Sequence, residues 1–230
     1  MQTLPVPCFA DRAEAGRMLA DAFAGVPLER PLVLAIPRGG IDVGLEVARG
    51  LGAELDVVLA RKLRCPCQPE LAFGAISESG EVILDPHISR VAAISEDDVA
   101  KERQRQFAEI ARRREFYRSV RPQAEIAGRS VIVTDDGIAT GSTMVAALRS
   151  VRDAGARDVI VAVPVGSPDR VAEIARQCDR MICLLEPEGF QTVGQYYQSF
   201  DQVSDERVAE VLQAVLLDGG RRTAAGSRSV

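Results

Sequence analysis

Two hydrophobic patterns alternate along this chain. Leu32-Val33-Leu34-Ala35-Ile36, Val131-Ile132-Val133, Val159 through Val165 and Met181 through Leu185 are short, unbroken apolar runs. Runs of that length, rich in β-branched residues, predict strands covered on both faces. Leu55-Asp56-Val57-Val58-Leu59-Ala60 predicts a further strand, broken only by its aspartate. Between the runs, apolar residues recur at helical spacing: Ala15, Met18, Leu19 and Ala22; Val43, Val47, Ala48 and Leu51; Val171, Ile174 and Ala175; Val208, Val211, Leu212 and Val215. Asp11 and Ser95 are placed as N-caps, Ser95 with Asp98 in a box-like pattern, and Gly155 is placed to close a helix. A strand–loop–helix succession of this kind predicts an α/β fold, a mostly parallel twisted sheet with helices on both faces.

Some stretches escape the alternation. Residues 63–74 are turn-rich and without periodicity, which predicts a long flexible loop of the kind that serves as a lid. Gly74-Ala75-Ile76-Ser77 and Glu81-Val82-Ile83-Leu84 predict a hairpin at its base. The helix opened by Ser95 carries eight Lys or Arg against three Glu between 101 and 121. After Asp218 nothing apolar remains to bury, so residues 1–218 are expected to form one domain and 219–230 a disordered tail.

Composition narrows the function classes. A chain of 230 residues with 47% hydrophobic and 27% charged residues suits one globular domain. With no bilayer-length apolar span and no basic-then-apolar leader, a cytoplasmic protein without a membrane partner is expected. A net charge of −5 argues against general nucleic-acid binding. His87 is the single histidine, which disfavours Ser-His-Asp and Cys-His mechanisms. The five cysteines fall in no strong zinc or disulfide spacing; Cys65-Pro66-Cys67 is the one close pair.

The chemistry gathers in Val131-Ile132-Val133-Thr134-Asp135-Asp136-Gly137-Ile138-Ala139-Thr140-Gly141-Ser142-Thr143. An apolar strand ends in adjacent carboxylates, and a loop of small and hydroxyl residues then enters a helix. Backbone N–H groups, hydroxyls and the positive end of the helix dipole suit a phosphate dianion there. The carboxylates, repelled by phosphate, suit the hydroxyls of a sugar beside it. Pro37-Arg38-Gly39-Gly40 repeats the theme after the first strand: glycines admit a polyanion to the backbone and the guanidinium offers bidentate contacts.

The first of these stretches resembles the PRPP-binding signature of the type I phosphoribosyltransferases (PRPP is 5-phosphoribosyl-1-diphosphate). Phe9-Ala10-Asp11-Arg12, Ile36-Pro37-Arg38-Gly39-Gly40, Arg61-Lys62-Leu63, Pro69-Glu70-Leu71-Ala72 and Val193-Gly194-Gln195-Tyr196-Tyr197 resemble a bacterial subgroup whose acceptors are not established. The resemblance implies transfer of the phosphoribosyl group from Mg²⁺-bound PRPP to a nitrogen of a planar small-molecule acceptor, with release of pyrophosphate. Asp135 and Asp136 would take the ribose, and Ala139, Thr140, Gly141, Ser142 and Thr143 the 5′-phosphate. Arg38, Gly39 and Gly40 would take the pyrophosphate, with a cis peptide between Pro37 and Arg38. Arg61 and Lys62 would neutralise the leaving group, and Mg²⁺ would be held through PRPP rather than by the protein. It also implies a helical hood at about 86–121, a mobile loop at about 63–74 and a homodimer. Gly137 departs from the pattern, in which a larger apolar residue is common, and is expected to loosen the loop. The alternative is a regulator on the same fold that senses PRPP or a nucleotide without turning it over; the basic helix at 101–121 would let it bind RNA.

Overall fold

The computed structural model describes residues 8–226. Five of the predicted apolar runs form one parallel sheet: β1 (Leu32–Ala35), β2 (Glu54–Val57), β6 (Ser130–Thr134), β7 (Asp158–Val165) and β8 (Arg180–Leu185), in the order β2-β1-β6-β7-β8. From β1 the chain goes outward to β2, and from β6 it goes the other way to β7 and β8. The switch point therefore lies between β1 and β6, where Leu34 pairs with Val133 and Ala35 with Thr134. In such sheets the crevice outside the carboxyl ends of these two strands takes the ligand.

Strand side chains alternate between two cores. Val33, Ala35, Leu55 and Ile132 pack with Leu19 of α1 (Arg12–Asp21), Val43 and Val47 of α2 (Gly40–Leu51), and Val208 and Leu212 of α7 (Asp205–Gly226). Leu32, Leu34, Val131, Val133, Val159 and Val161 pack with Met144 and Leu148 of α5 (Ser142–Asp153) on the opposite face. Burial on both faces explains why these strands show no polar alternation. Asp11 caps α1 by accepting from the Glu14 N–H at 2.8 Å, and Ser95 and Asp98 form the reciprocal box that opens α4 (Glu96–Val120). No helix among the described residues is long and apolar enough to cross a membrane.

The stretch predicted as an irregular loop at 63–74 is instead mostly strand. β3 (Ala60–Cys65) and β4 (Gln68–Ser77) form an antiparallel hairpin, and β4 pairs on with β5 (Val82–Leu84), as predicted for the hairpin base. Register shifts at Leu63/Arg64 and Arg64/Cys65 scramble the period-2 signal, which hid the strands. The single strand predicted over 55–60 is also two: the chain leaves the parallel sheet after Val57 and restarts at Ala60. Residues 86–121 are helical, as α3 (Pro86–Val91) and α4; α4 packs on β3 and α7. Helix α7 continues through Gly226 rather than stopping at Asp218. Residues 227–230 of the expected tail lie outside the described residues.

The basic surplus of α4 is largely consumed inside the fold. Lys101 pairs with Asp97, Arg105 with Glu102, Arg112 and Arg113 with Glu109 and Asp205, and Arg118 and Arg121 with Asp56. Tyr117 donates to Asp205 at 2.6 Å, so the same cluster ties α4 to the start of α7. Hydrogen bonds from Arg112, with Arg113 assisting, hold the Glu109 carboxyl down from its ordinary 4.5 to about 2. A depressed carboxylate contributes stability that is present above the unfolded value and lost as pH falls through the folded one. The α4–α7 junction should therefore weaken between about pH 4.5 and about pH 2. Acid titration of urea stability should show a shallower loss across this window in Glu109→Gln than in the wild type; superimposable curves would exclude Glu109 as a source.

Candidate functional site

Both glycine-rich loops meet at the switch point. The loop after β1 runs through Pro37-Arg38, whose peptide is cis, into Gly39 and the start of α2 at Gly40. It lies directly against the acid pair that ends β6. A Cβ on Gly39 would fall inside the Asp136 carboxylate, and one on Gly40 would sit 2.9 Å from Asp135 Cα and 3.0 Å from the Thr134 carbonyl. Only glycine fits at either position.

Each carboxylate has one oxygen engaged. Asp135 Oδ1 accepts from the Asp136 N–H at 2.8 Å, and Asp136 Oδ2 accepts from Arg12 Nε at 3.0 Å and Nη2 at 2.8 Å. The other oxygen of each, Asp135 Oδ2 and Asp136 Oδ1, has no hydrogen-bond partner among the described residues. Burial, and then the neighbouring Asp136 charge, push the Asp135 carboxyl well above the ordinary range. Burial raises Asp136 too, opposed by Arg12. Two carboxylates so close and so poorly hydrated are costly, and such perturbation concentrates at functional sites.

The loop at 139–143 is pinned at its base: Ile138 donates to the Val165 carbonyl at 2.8 Å and accepts from the Ser167 N–H at 3.2 Å. Gly141, at φ 75°, turns the chain into α5, which starts at Ser142. The first N–H groups of that helix have no intrahelical partner and face the loop. Thr140 and Ser142 hydroxyls lie 3.2 Å apart, with Ala139 and Thr140 exposed. The result is a small cradle of donors at the positive end of a three-turn helix. Gly137 does not loosen the loop: a Cβ there would come within 2.8 Å of Val193, so its absence lets the 3-10 turn Val193–Tyr196 close against β6.

Strand alternation separates the basic pair. Arg61 faces α4, where its Nε donates to Gln106 Oε1 at 2.5 Å. Lys62 points to the other face, and its charge acts on Asp135. Sequence reasoning ranked Arg61 above Lys62; in the fold Arg61 is tied to Gln106, and it is the Lys62 charge that acts on Asp135.

Arg12 is the residue that sequence reasoning missed. It appeared there only as part of a helix start and of a resemblance, and its partner lies 124 positions away. Its third contact is Nη1 to the Asp201 carbonyl at 2.8 Å, and its guanidinium carbon sits 3.9 Å from the centre of the Phe200 ring. Phe200 in turn stacks on Tyr197 at 5.0 Å, and the Tyr197 hydroxyl donates to the Asp136 carbonyl at 2.6 Å. The aromatic cluster therefore frames the acid pair rather than merely closing the core.

Among the described residues no three His, Cys, Asp or Glu side chains gather as a metal site. The model of the phosphoribosyl transferase domain matches residues 11–198. The chain belongs to the phosphoribosyl transferase family. That match takes in Arg12, both loops, the acid pair and Tyr197, and ends before Phe200 and α7. Among solved structures, TT1426 of Thermus thermophilus is 45% identical, with a TM-score of 0.77, covering 90% of this chain and 98% of that one. A Mycobacterium tuberculosis protein assigned by name to the phosphoribosyl transferases is 43% identical over 204 residues, 89% of this chain but 46% of its own length. The chain thus spans about half the length of that curated relative. The adenine phosphoribosyltransferase of Rhodococcus jostii is 30% identical over 157 residues, 68% of each chain.

Proposed function

We propose that this phosphoribosyl transferase domain binds Mg²⁺-PRPP across the β1–β6 switch point and transfers its phosphoribosyl group to a nitrogen of a planar acceptor. The observation that carries this reading is the acid pair itself: two adjacent half-buried carboxylates, each with one oxygen that accepts no protein hydrogen bond, between a donor cradle and a close-packed glycine loop. Two carboxylates on adjacent residues, each with an oxygen that accepts no protein hydrogen bond, suit the vicinal hydroxyls of ribose. The 139–143 cradle takes the 5′-phosphate, and Arg38, Gly39 and Gly40 take the diphosphate. Lys62, on the same side as the acid pair, offsets charge on the leaving group; Arg61, held by Gln106, acts only at longer range.

In the reaction a lone pair on the acceptor nitrogen forms the bond to C1. The C1–O bond breaks, pyrophosphate leaves with the electron pair, and the acceptor gives up its N–H proton to solvent. Mg²⁺ carried on the diphosphate would neutralise part of its charge. The chain's own residues align the sugar, supply fixed donors to the phosphates and keep water from a reactive ribosyl cation. Adenine, named for the Rhodococcus relative, is the first acceptor to assay.

Calorimetric titration of PRPP, with and without Mg²⁺, tests the reading. Micromolar binding that depends on Mg²⁺ is expected, and its absence would remove PRPP as the donor. Lys62→Met should weaken that binding roughly tenfold, the scale of losing one close charge contact of about 1.4 kcal/mol. Arg61→Met should change it by less than about twofold, since Arg61 is held on the far face of the hairpin. The reverse order would reject the assignment of Lys62 to the leaving group.

A further inference from the structure

Arg12 reaches the acid pair from α1, outside both loops, and uses the whole guanidinium to do so. Nε and Nη2 converge on a single oxygen, Asp136 Oδ2, while Nη1 takes the Asp201 carbonyl and the flat face covers Phe200. An ion pair kept for cohesion alone would favour the bidentate form, two parallel bonds to both carboxylate oxygens. Here Arg12 anchors Oδ2 with two bonds and makes none to Oδ1, which leaves that oxygen to a ligand. The contacts also close a ring. Arg12 holds the Asp136 side chain, Tyr197 holds the Asp136 carbonyl, and Phe200 lies between Arg12 and Tyr197. The side chains of Arg12 and Asp136 are only 11% and 16% exposed, so the pairing is little screened.

We infer that Arg12 is the positioning residue of the acid pair: it presents Asp136 Oδ1 to ligand and links that carboxylate to the aromatic segment 197–201. The inference rests on the ribose role given to Asp136 above. It assigns a function to an arginine that touches neither phosphate loop, and it makes the aromatic segment part of PRPP binding. The charged and titratable groups facing Asp136 are Asp135 beside it, Arg12 from α1, and the Tyr197 phenol. Lys62 acts from β3 through Asp135, and Arg38 belongs to the facing loop.

The test compares Arg12→Gln, Arg12→Lys and Phe200→Leu in the full chain. PRPP affinity is measured with Mg²⁺ from pH 6 to 9, and the Asp136 carboxyl ¹³C titration is followed without ligand. Arg12→Gln should lose at least about tenfold in affinity near neutral pH and recover part of it as pH rises, because Asp136 then ionises later; one pKa unit is a tenfold change. Arg12→Lys should keep the unliganded titration near wild type yet bind PRPP weakly, because one ammonium cannot fix the carboxylate's rotation. Phe200→Leu, at a ring 38% exposed, should fold normally and lose affinity severalfold with the Arg12 charge intact. A pH-independent loss of equal size in Arg12→Gln and Arg12→Lys would mean a structural role and overturn the inference. So would an unchanged Asp136 titration in Arg12→Gln. If the wild type itself binds no PRPP, the donor reading fails separately, and the ¹³C titration still decides whether Arg12 sets the state of Asp136.

Discussion

Asp135→Asn is expected to make this protein more stable and a worse binder of PRPP at once. The substitution keeps the shape and the Oδ1 acceptor for the Asp136 N–H. It removes a carboxylate that burial and the Asp136 charge both disfavour. For an acid whose folded pKa is raised, stability is fully present below the unfolded value, near 3.8, and is lost as pH rises through the folded one. The gain from Asn should therefore be visible at neutral pH and vanish below about pH 4. Affinity moves the other way. A hydrogen bond from a ribose hydroxyl to a charged oxygen contributes about 1.5–3 kcal/mol, so its loss should weaken PRPP binding roughly ten- to hundredfold. Asp136→Asn should lower both quantities, because it also strands the Arg12 guanidinium. The Asp135→Asn and Asp136→Asn double variant should abolish measurable PRPP binding. Urea unfolding beside calorimetry reads both signs. A destabilised Asp135→Asn would mean that the carboxylate is structural, and unchanged PRPP affinity would sink the ribose assignment.

Asp56→Ala should be among the most destabilising single substitutions in the fold. Asp56 is 1% exposed at the middle of edge strand β2. Its carboxylate accepts from Arg118 Nη1 at 2.7 and 3.0 Å, from the Val57 N–H at 2.8 Å and from the Ala124 N–H at 2.9 Å, with Arg121 Nε at 3.7 Å. Removing it leaves the little-exposed Arg118 guanidinium and a loop N–H without their acceptor, while Arg121 keeps Glu54 at 2.7 Å, and breaking a buried pair costs about 3–5 kcal/mol. That is a large fraction of the roughly 5–15 kcal/mol that holds a domain together. Asp56→Asn, which retains the shape and part of the hydrogen bonding, should cost clearly less. The prediction is checked by urea midpoints at constant slope; a loss under about 1 kcal/mol would mean that the arginines re-pair elsewhere.

These two carboxylates mark how unevenly the structure could be read in advance. The parallel strands, most of the helices, the loop at 139–143 and the acid pair are written in local pattern. An unbroken apolar run needs cover on both faces, and small residues between a strand and a helix leave backbone donors free. The cis Pro37-Arg38 peptide followed from resemblance and stands where it was expected. Residues 63–74 were illegible because two register shifts erase the alternation by which a strand is recognised. Asp56 read as a flaw in an apolar run, because its partners Arg118 and Ala124 lie 62 and 68 positions away.

The sequence alone therefore determined the strand–loop–helix order, the two glycine loops and the adjacent acids, each a matter of neighbours within one turn or one strand. Tertiary structure decided the rest: that Arg61 is tied to Gln106 while the Lys62 charge acts on Asp135, that Arg12 and Tyr197 converge on Asp136, and that most of α4's basic residues pair within the chain. Pleat, register and packing choose which face a side chain takes and which distant groups meet it, and no local pattern of residues carries that choice.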